Sequence, residues 1–367
     1  MVVISACGPS YVKFTSGQAA SIVIGQADFT SESAGATEAT TLDLPHGVVV
    51  YKGTLYIAEG GNSRVLGFNS IPTSNGAAAD FVLGQTDFVT GSSDTTAATL
   101  WNPIGLSVGS KKLAIADQVN HRVLIYNSIP KSTGVAADVV VGQTDMVSRA
   151  TACSSTGLKY PEGAFIQGER LIVSESSQHR VLIYNSIPTS NGAAPDLVIG
   201  QEEFDSCASN RGGAIGAETL SAPSAIWSDG KRLLVVDSGN NRVLIWKKFP
   251  TSNGQAADLV LGQADFTGSG SATTASGLNS PTSVWSKDGQ VFIGDGSNSR
   301  VLIWNHFPTK NGQAADVVLG QPDFTSGVSS TTTQSTIRGG TYGVVLSGKK
   351  LIVTDQSANR ALIFEGK

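Results

Sequence analysis

A unit that recurs six times along the chain constrains the fold more than any other feature of the sequence. Residues 281–323 show one copy, in which four short apolar segments rich in Val, Ile and Trp are separated by turn residues. Each segment is too short for a helix, and its composition is typical of a β-strand. The repeat decides which elements pack together, so it has to be placed before anything else.

Two charged positions fix the register of this repeat. An Arg begins the third strand of every unit, and an acidic residue lies five positions before it. The six pairs are Glu59 and Arg64, Asp117 and Arg122, Glu175 and Arg180, Asp237 and Arg242, Asp295 and Arg300, and Asp355 and Arg360. We interpret them as structural residues, because a carboxylate at a strand end accepts N–H groups of the next turn and a guanidinium ties neighbouring elements together.

The spacing is constant within a unit and variable between units. Each unit opens on a Pro, except that the sixth has Thr341 there and, counting back from it, Arg338 where earlier units have Leu. The segment that joins the last Gln of one unit to the Pro of the next varies from 18 to 22 residues. This pattern indicates rigid four-stranded sheets joined by tolerant connectors.

The sixth unit has no fourth strand of its own, because the chain stops at Lys367. Residues 21–26 match the fourth strand of another unit, residues 259–263. The sequence therefore predicts an all-β fold: a six-bladed β-propeller of four-stranded antiparallel blades, closed by an N-terminal strand that completes the last blade. Closure leaves no long sheet edge open to aggregation.

The predicted domain organisation is a tail at 1–16 followed by one propeller at 17–367. A single domain of this size is reasonable because each blade packs mainly on its neighbours. The expected blades are residues 45–88, 103–146, 161–204, 223–266, 281–324, and 341–367 together with 17–29. The connectors are rich in Ser, Thr, Ala and Gly and gather on one face, where loops on a rigid scaffold often bind partners.

Composition excludes some classes of function. The net charge is −4, whereas a protein that binds duplex nucleic acid needs clustered Lys and Arg to neutralise phosphates. No apolar run approaches the roughly 20 residues that span a bilayer. The sequence has no Gly-rich phosphate loop and no Gly-x-Ser-x-Gly nucleophile elbow.

The segment acid-x-x-Asn-x-Arg-Val, as in residues 237–243, resembles the signature of NHL repeats, and so does the lead-in from Leu278 to Pro281. The resemblance covers about residues 17–367 and implies a six-bladed propeller. Some animal NHL proteins bind single-stranded RNA, which implies one alternative function. This chain differs in its longer blades and in an added Gly-Gln-x-Asp-Phe tail, seen at residues 84–88.

Repeat logic assembles varied polar side chains at one place, the mouth of the central channel. The residue after the opening Pro is expected to face it, and around the ring this position holds His46, Ile104, Glu162, Ser224, Thr282 and Tyr342. We take His46, Glu162 and Tyr342 as candidates for an enzyme site, with His46 and Glu162 either an acid–base pair or structural residues.

Residues 44–47 are similar to the zinc-ligand strands of peptide-amidating lyases, which present three His from corresponding strands. Here only His46 occupies that position, whereas a catalytic zinc takes three protein ligands. We therefore predict no metal and no cofactor.

The three Cys residues point to a compartment. Cys153 and Cys207 lie in connectors of adjacent blades on the same face, so they could form a disulfide under oxidising conditions. The segment before Cys7 resembles the end of a bacterial lipoprotein signal, although it is short and has no basic region. The expectation is an exported protein, periplasmic or at the cell surface, with Cys7 lipidated. A reduced cytosolic chain with three free thiols is the alternative.

The sequence favours an extracytoplasmic binding or scaffold module that engages a protein partner or a surface assembly through its face loops. Membrane contact is expected only through a lipid at Cys7, and duplex nucleic acid is not an expected partner. One alternative is a lyase- or hydrolase-like enzyme at the channel mouth. The other is single-stranded RNA binding, which requires a basic face with exposed aromatic residues.

Overall fold

The computed structural model describes residues 11–328 and 330–367. It contains six four-stranded antiparallel sheets. The innermost strand of each sheet contacts that of the next, and the last contacts the first, so the sheets form a ring. This confirms the all-β six-bladed propeller predicted from the repeat. Within the described residues, no helix is long and apolar enough to cross a membrane.

The strands fall into four sets, counted from the channel outward. The first strands are β2 (Pro45–Tyr51), β6 (Pro103–Gly109), β10 (Pro161–Gln167), β14 (Pro223–Ser228), β18 (Pro281–Lys287) and β22 (Val344–Ser347). The second strands are β3 (Thr54–Glu59), β7 (Lys112–Asp117), β11 (Arg170–Glu175), β15 (Leu233–Asp237), β19 (Gln290–Asp295) and β23 (Lys350–Asp355). The third strands are β4 (Arg64–Phe68), β8 (Arg122–Tyr126), β12 (Arg180–Tyr184), β16 (Arg242–Trp246), β20 (Arg300–Trp304) and β24 (Arg360–Glu365). The fourth strands are β5 (Phe81–Leu83), β9 (Val139–Val141), β13 (Leu197–Ile199), β17 (Leu259–Leu261), β21 (Val317–Leu319) and β1 (Ile22–Ile24).

Strand direction divides the wheel into two faces. Because neighbouring strands are antiparallel, the connectors and the turns between second and third strands lie on one side, which we call the connector face. The turns between first and second strands and between third and fourth strands lie on the opposite side, which we call the hairpin face. Five short 3-10 turns complete the secondary structure of the described residues: Ser176–Gln178, Ser209–Gly212, Ser238–Asn240, Gly296–Asn298 and Gln356–Ala358.

The core lies between the blades. Each of six hydrophobic clusters draws its buried side chains from two adjacent blades, and together they cover every seam of the ring. The second and third strands are therefore buried on both faces, which explains their nearly continuous runs of Val, Leu and Ile.

The ring closes where the sequence predicted. Strand β1 pairs with β24, with Ile22 opposite Ile363 and Ile24 opposite Ala361. The N-terminal boundary lies earlier than expected, however, because Phe14 is buried among the last two blades. The hydroxyl of Ser16 accepts the N–H of Val318 at 3.2 Å, as the side chain of an Asn does in other blades. Residues 11–16 therefore belong to the propeller, and the rest of the predicted tail, including Cys7, lies outside the described residues.

The outer turns hold neighbouring blades together. The side-chain oxygen of Asn191 accepts the N–H of Val140 at 3.0 Å, and the N–H of Gly192 donates to the Val140 carbonyl at 3.1 Å. Val140 lies in the fourth strand of the preceding blade, whose outer edge is thereby covered. Gly192 adopts φ of 65°, which is why Gly follows Asn in these turns.

The six Arg–acid pairs are fully buried and fasten each blade to its flanking connectors. Arg300 Nε donates to Asp295 at 2.8 Å, its Nη1 to the Phe324 carbonyl at 2.6 Å, and its Nη2 to the Thr274 and Gly277 carbonyls at 2.9 and 3.0 Å. A buried charge is tolerated when its hydrogen bonds are satisfied in this way. These contacts are those of residues that hold the fold together.

The sixth blade departs from the register assumed from sequence. Ile337, fully buried, lies over Gly320 as Leu278 lies over Gly262, so Ile337 and not Arg338 takes the place of the usual Leu. One extra residue separates it from Thr341. Gly340, with φ of 65°, matches Ser280 and its counterparts in the other blades, whereas Gly339, with φ of 147°, lies in the added step. Counting back a fixed distance from Thr341 therefore selected the wrong residue.

Candidate functional site

The mouth of the central channel leads to a small cavity of about 70 Å³. Five of the six residues predicted to face it line this cavity: Ile104, Glu162, Ser224, Thr282 and Tyr342. Four of them follow the Pro that opens the first strand of their blade, whereas Tyr342 lies two residues before β22 begins. The repeat places all five at the same end of the channel.

The sixth predicted residue, His46, does not line the cavity. Its ring is buried, with Nδ1 3.1 Å from the Pro103 carbonyl and Nε2 2.7 Å from the Gln356 amide nitrogen. Burial lowers the pKa of His46 to about 4, and the bond to the Pro103 carbonyl opposes this only in part. The imidazole is therefore neutral near pH 7, with Nδ1 donating to the carbonyl and Nε2 accepting from the amide.

His46 instead supports Tyr342. The two rings meet edge to face, with centroids 5.0 Å apart. Among the residues that the structure describes, His46 and Glu162 share no hydrogen bond or ion pair, and the blade that carries Ile104 stands between them. The structure does not bring these two residues together as an acid–base pair.

Glu162 is the one carboxyl group among the residues that line the cavity. Its side chain is only partly open to solvent, and burial raises its pKa to about 7, with the Ser176 hydroxyl opposing the shift. Burial also raises the pKa of Tyr342, and the charge of Glu162 adds to that effect. A carboxyl group with a pKa near neutrality can both donate and accept a proton at physiological pH.

Two further aromatic side chains line the cavity farther along the first strands. They were not among the six residues predicted to face the channel. These two are Phe165 and Trp285, and the Trp285 indole N–H is buried without a hydrogen-bond partner among the described residues. A sequence signal existed, because Phe165, Trp227 and Trp285 hold the same position of three successive first strands. Phe165 and Trp285 are part of the cavity lining, whereas Trp227 is buried in the core between the fourth and fifth blades.

The channel mouth does not assemble a metal site. Within residues 11–328 and 330–367, no group of three or more His, Cys, Asp or Glu side chains is placed to hold an ion.

The connector face is held by a covalent link. Cys153 and Cys207 form a disulfide between successive connectors, with Cα atoms 6.3 Å apart and a separation of 54 positions in sequence. The bond ties the loop that precedes β10 to the loop that precedes β14. Cys153 is exposed, so the disulfide lies at the surface.

The connector face is also where the protein exposes apolar side chains. Of the described residues, five large hydrophobic ones are exposed, and all five lie on this face: Leu44, Val89, Val147, Tyr160 and Val328, at 43, 71, 67, 37 and 77%. Val89 and Val147 occupy equivalent positions, two residues after the Asp of the Gly-Gln tail. The other blades with an Asp there place Thr30, Thr267 and Thr325 at this position.

The connector face is strongly acidic. Outside the buried Arg–acid pairs it carries four cations, Arg149, Lys159, Arg211 and Arg338, and 14 carboxylates, which leaves a net charge of −10. The carboxylates are Asp28, Glu32, Glu38, Asp43, Asp87, Asp94, Asp145, Glu162, Glu202, Glu203, Asp205, Glu218, Asp265 and Asp323. Several of these groups are held in turns, and hydrogen bonds from Thr30 and Ser31 lower the pKa of Asp28 to about 2.

Comparison with known proteins identifies the fold and nothing finer. No protein-family model and no curated protein matches this chain. A candidate 6-phosphogluconolactonase from Bacteroides uniformis superposes with a TM-score of 0.50 at 13% identity, over 90% of this chain and 84% of that one. At this identity the similarity shows a shared fold alone.

Two further structures align with lower scores. The computationally designed Ika8 protein gives a TM-score of 0.46 at 8% identity, over 95% of this chain and 99% of its own. A chain of a nidogen/laminin complex gives 0.41 at 12% identity, over 81% of this chain and 96% of its own.

Proposed function

We propose that the protein is an NHL-type propeller that acts outside the cytoplasm as a binding module, and that its connector face docks a protein partner. The observation that carries the proposal is the placement of all five exposed large hydrophobic residues of the described chain on that face. Exposed apolar side chains amid polar ones are typical of protein interfaces. The six-fold repeat beneath them supplies a rigid support.

The charge of the connector face defines the partner's chemistry. A net charge of −10 favours a partner whose contact surface is rich in Lys and Arg, because complementary potentials speed association and exclude wrong partners. Association should therefore weaken as ionic strength rises.

The disulfide between Cys153 and Cys207 supports an extracytoplasmic location, because such bonds persist in oxidising compartments. The test is mass spectrometry of the protein isolated from its own cells, with free thiols blocked at lysis. We expect Cys153 and Cys207 to be unmodified by the blocking reagent. Blocked thiols at both positions would overturn the extracytoplasmic assignment.

The face assignment can be tested with substitutions that the repeat itself tolerates. Val89→Thr and Val147→Thr place in two blades the residue that three other blades already carry, so the fold should be unaffected. Partners captured from envelope extracts would be identified by quantitative mass spectrometry and their affinity measured with purified proteins. We expect the double variant to bind about tenfold more weakly, since each Val loses about half of its apolar contact.

The control for this experiment lies on the opposite face. Lys131→Gln changes an exposed residue of the hairpin face and should leave partner affinity unchanged. If the Lys131 variant lost binding and the Val variants kept it, the interface would lie on the hairpin face. That result would contradict the proposal.

A second candidate function is catalysis at the channel mouth, favoured by the near-neutral pKa of Glu162 beside the cavity. The cavity, at about 70 Å³, is small beside the roughly 300–1,000 Å³ of ordinary small-molecule sites, which is why we place this function second. Turnover of ester, amide or glycoside substrates that is lost in Glu162→Gln and kept in the Val variants would favour the enzyme.

A further inference from the structure

The hairpin face has the opposite charge from the connector face. It carries 15 Lys and Arg residues against nine Asp and Glu, a net charge of +6 that the chain total of −4 conceals. The cations are Lys13, Lys52, Lys111, Lys112, Lys131, Arg170, Lys231, Arg232, Lys247, Lys248, Lys287, Lys310, Lys349, Lys350 and Lys367. The acids are Asp80, Asp138, Glu169, Asp196, Asp229, Asp258, Asp288, Asp316 and Glu365.

These cations are spread over the whole face. Every blade supplies at least one, and ten of the 15 are exposed lysines. They occupy both the inner hairpins, as Lys52 and Lys231 do, and the outer hairpins, as Lys131 and Lys310 do. A broad, flat distribution of this kind matches a planar anionic surface better than a polymer that has to follow a groove.

Two aromatic rings at this face are covered by cations of the protein itself. The guanidinium of Arg170 lies 4.5 Å from the centroid of Phe249, and that of Arg232 lies 3.8 Å from the centroid of Phe307. Single-stranded nucleic acid is held by stacking its bases on open aromatic rings. These two rings, occupied by protein cations, do not offer such a platform.

The N-terminal segment joins the propeller at the same face. The N–H of Val12 donates to the Gln290 side chain at 2.9 Å, and Lys13 pairs with Lys367 through two backbone hydrogen bonds. Gln290 follows an inner hairpin and Lys367 follows the last third strand, so both lie on the hairpin face. Val12 and Lys13 therefore lie on the basic side of the wheel.

We propose that the hairpin face docks on a membrane surface rich in anionic lipid headgroups. Headgroup phosphates would be attracted by the net charge of +6, and the acidic connector face, repelled by them, would point away. The inference concerns the opposite face from the protein interface proposed above, so either can fail alone.

Vesicle sedimentation with the full chain carrying no lipid tests the inference. We expect binding to phosphatidylcholine vesicles that contain phosphatidylglycerol, little binding to pure phosphatidylcholine, and release by high salt. The variant K247Q/K248Q removes two exposed cations of the hairpin face. Its partition coefficient should fall about 25-fold, because each of the two lysines near the surface strengthens binding about fivefold.

The control removes the same charge from the other face. In R149Q/K159Q two cations of the connector face are lost, and partitioning should change by less than about twofold. Equal losses in the two variants would mean that net charge alone governs binding and would overturn the docking face. So would absence of binding to the anionic vesicles, or displacement from them by a short single-stranded RNA at lower concentration than soluble phosphatidylglycerol.

Discussion

The Nδ1 atom of His179 accepts the backbone N–H of Ala222 at 2.9 Å, across the seam between the third and fourth blades. His121 makes the equivalent bond with Tyr160 at 3.2 Å, across the preceding seam. An imidazole nitrogen accepts a hydrogen bond only when it carries no proton. Two seams of the ring therefore depend on neutral histidines.

The stability of the ring should consequently fall in mild acid. Burial lowers the pKa of both histidines, and for His121 the charges of Lys159 and Arg149 add to the effect. Their stabilisation is complete above the unfolded pKa of about 6.5 and is lost as the pH falls through the folded pKa. We expect the urea midpoint of the wild type to be lower at pH 5 than at pH 7.

Asparagine supplies the matched replacement, because Asn241 and Asn359 make this same seam contact in other blades. The variant H121N/H179N keeps an acceptor that does not titrate, so its midpoint should change less between pH 7 and pH 5. A residual change is expected from His46, whose pKa is lowered to about 4. An unchanged pH dependence in the double variant would show that the two seams do not limit stability in acid.

Arg300→Lys should destabilise the protein by about 3 kcal/mol, because Lys keeps the charge but cannot reproduce the fork that reaches three carbonyls. The comparison is Arg338→Lys, in which a partly exposed Arg pairs with Glu32 at 2.9 Å through Nη1 alone. That change should cost under about 1 kcal/mol. Denaturant midpoints of both variants measure the difference, and equal costs would refute the role assigned to the buried Arg.

Asn191→Ala should cost about 1–2 kcal/mol, because the N–H of Val140 loses its partner at a half-buried seam. Asn191→Thr should cost less than half as much, since Thr133 serves as the acceptor at the equivalent position of another blade. Amide hydrogen exchange at Val140 is the direct readout, with faster exchange expected in the Ala variant. If the Val140 amide exchanged at the same rate in the wild type and in both variants, the Asn191 side chain would have no role in joining the blades.

Glu162→Gln should stabilise the protein at pH 8 and have little effect at pH 5. With a folded pKa of about 7, above its unfolded value, Glu162 contributes most below the unfolded pKa, and the contribution is lost as the pH rises through 7. The gain at pH 8 should be about 1–2 kcal/mol, less than the full shift implies, because solvent reaches part of the carboxylate. A carboxyl carbon NMR titration of Glu162 with its midpoint near 4 would contradict this prediction.

The blades and the closure of the ring could be derived from the amino-acid sequence because they depend on local chemistry. The five-residue spacing from Asp295 to Arg300 spans one strand end and one turn, and the Asn-Gly pairs specify outer hairpins wherever they occur. Each of these local patterns is weak alone, but their recurrence in register along the chain made the assignment of the strands secure. The match between residues 21–26 and 259–263 then left one arrangement that gives every blade four strands.

Only the tertiary structure showed where individual side chains point. It alone also showed which residues of the sixth blade, with its extra residue, correspond to those of the other blades. His46 and Glu162 share a repeat position, and each lies within the bulge at the start of its strand. Only the imidazole is held away from the cavity, because it bonds to the Pro103 carbonyl of the neighbouring blade and to Gln356. The extra residue after Ile337 is likewise placed by packing over Gly320. The opposite charges of the two faces also depend on the tertiary structure. The sequence determines how many charged residues there are, but the direction of the strands determines which face each turn, and so each charge, lies on.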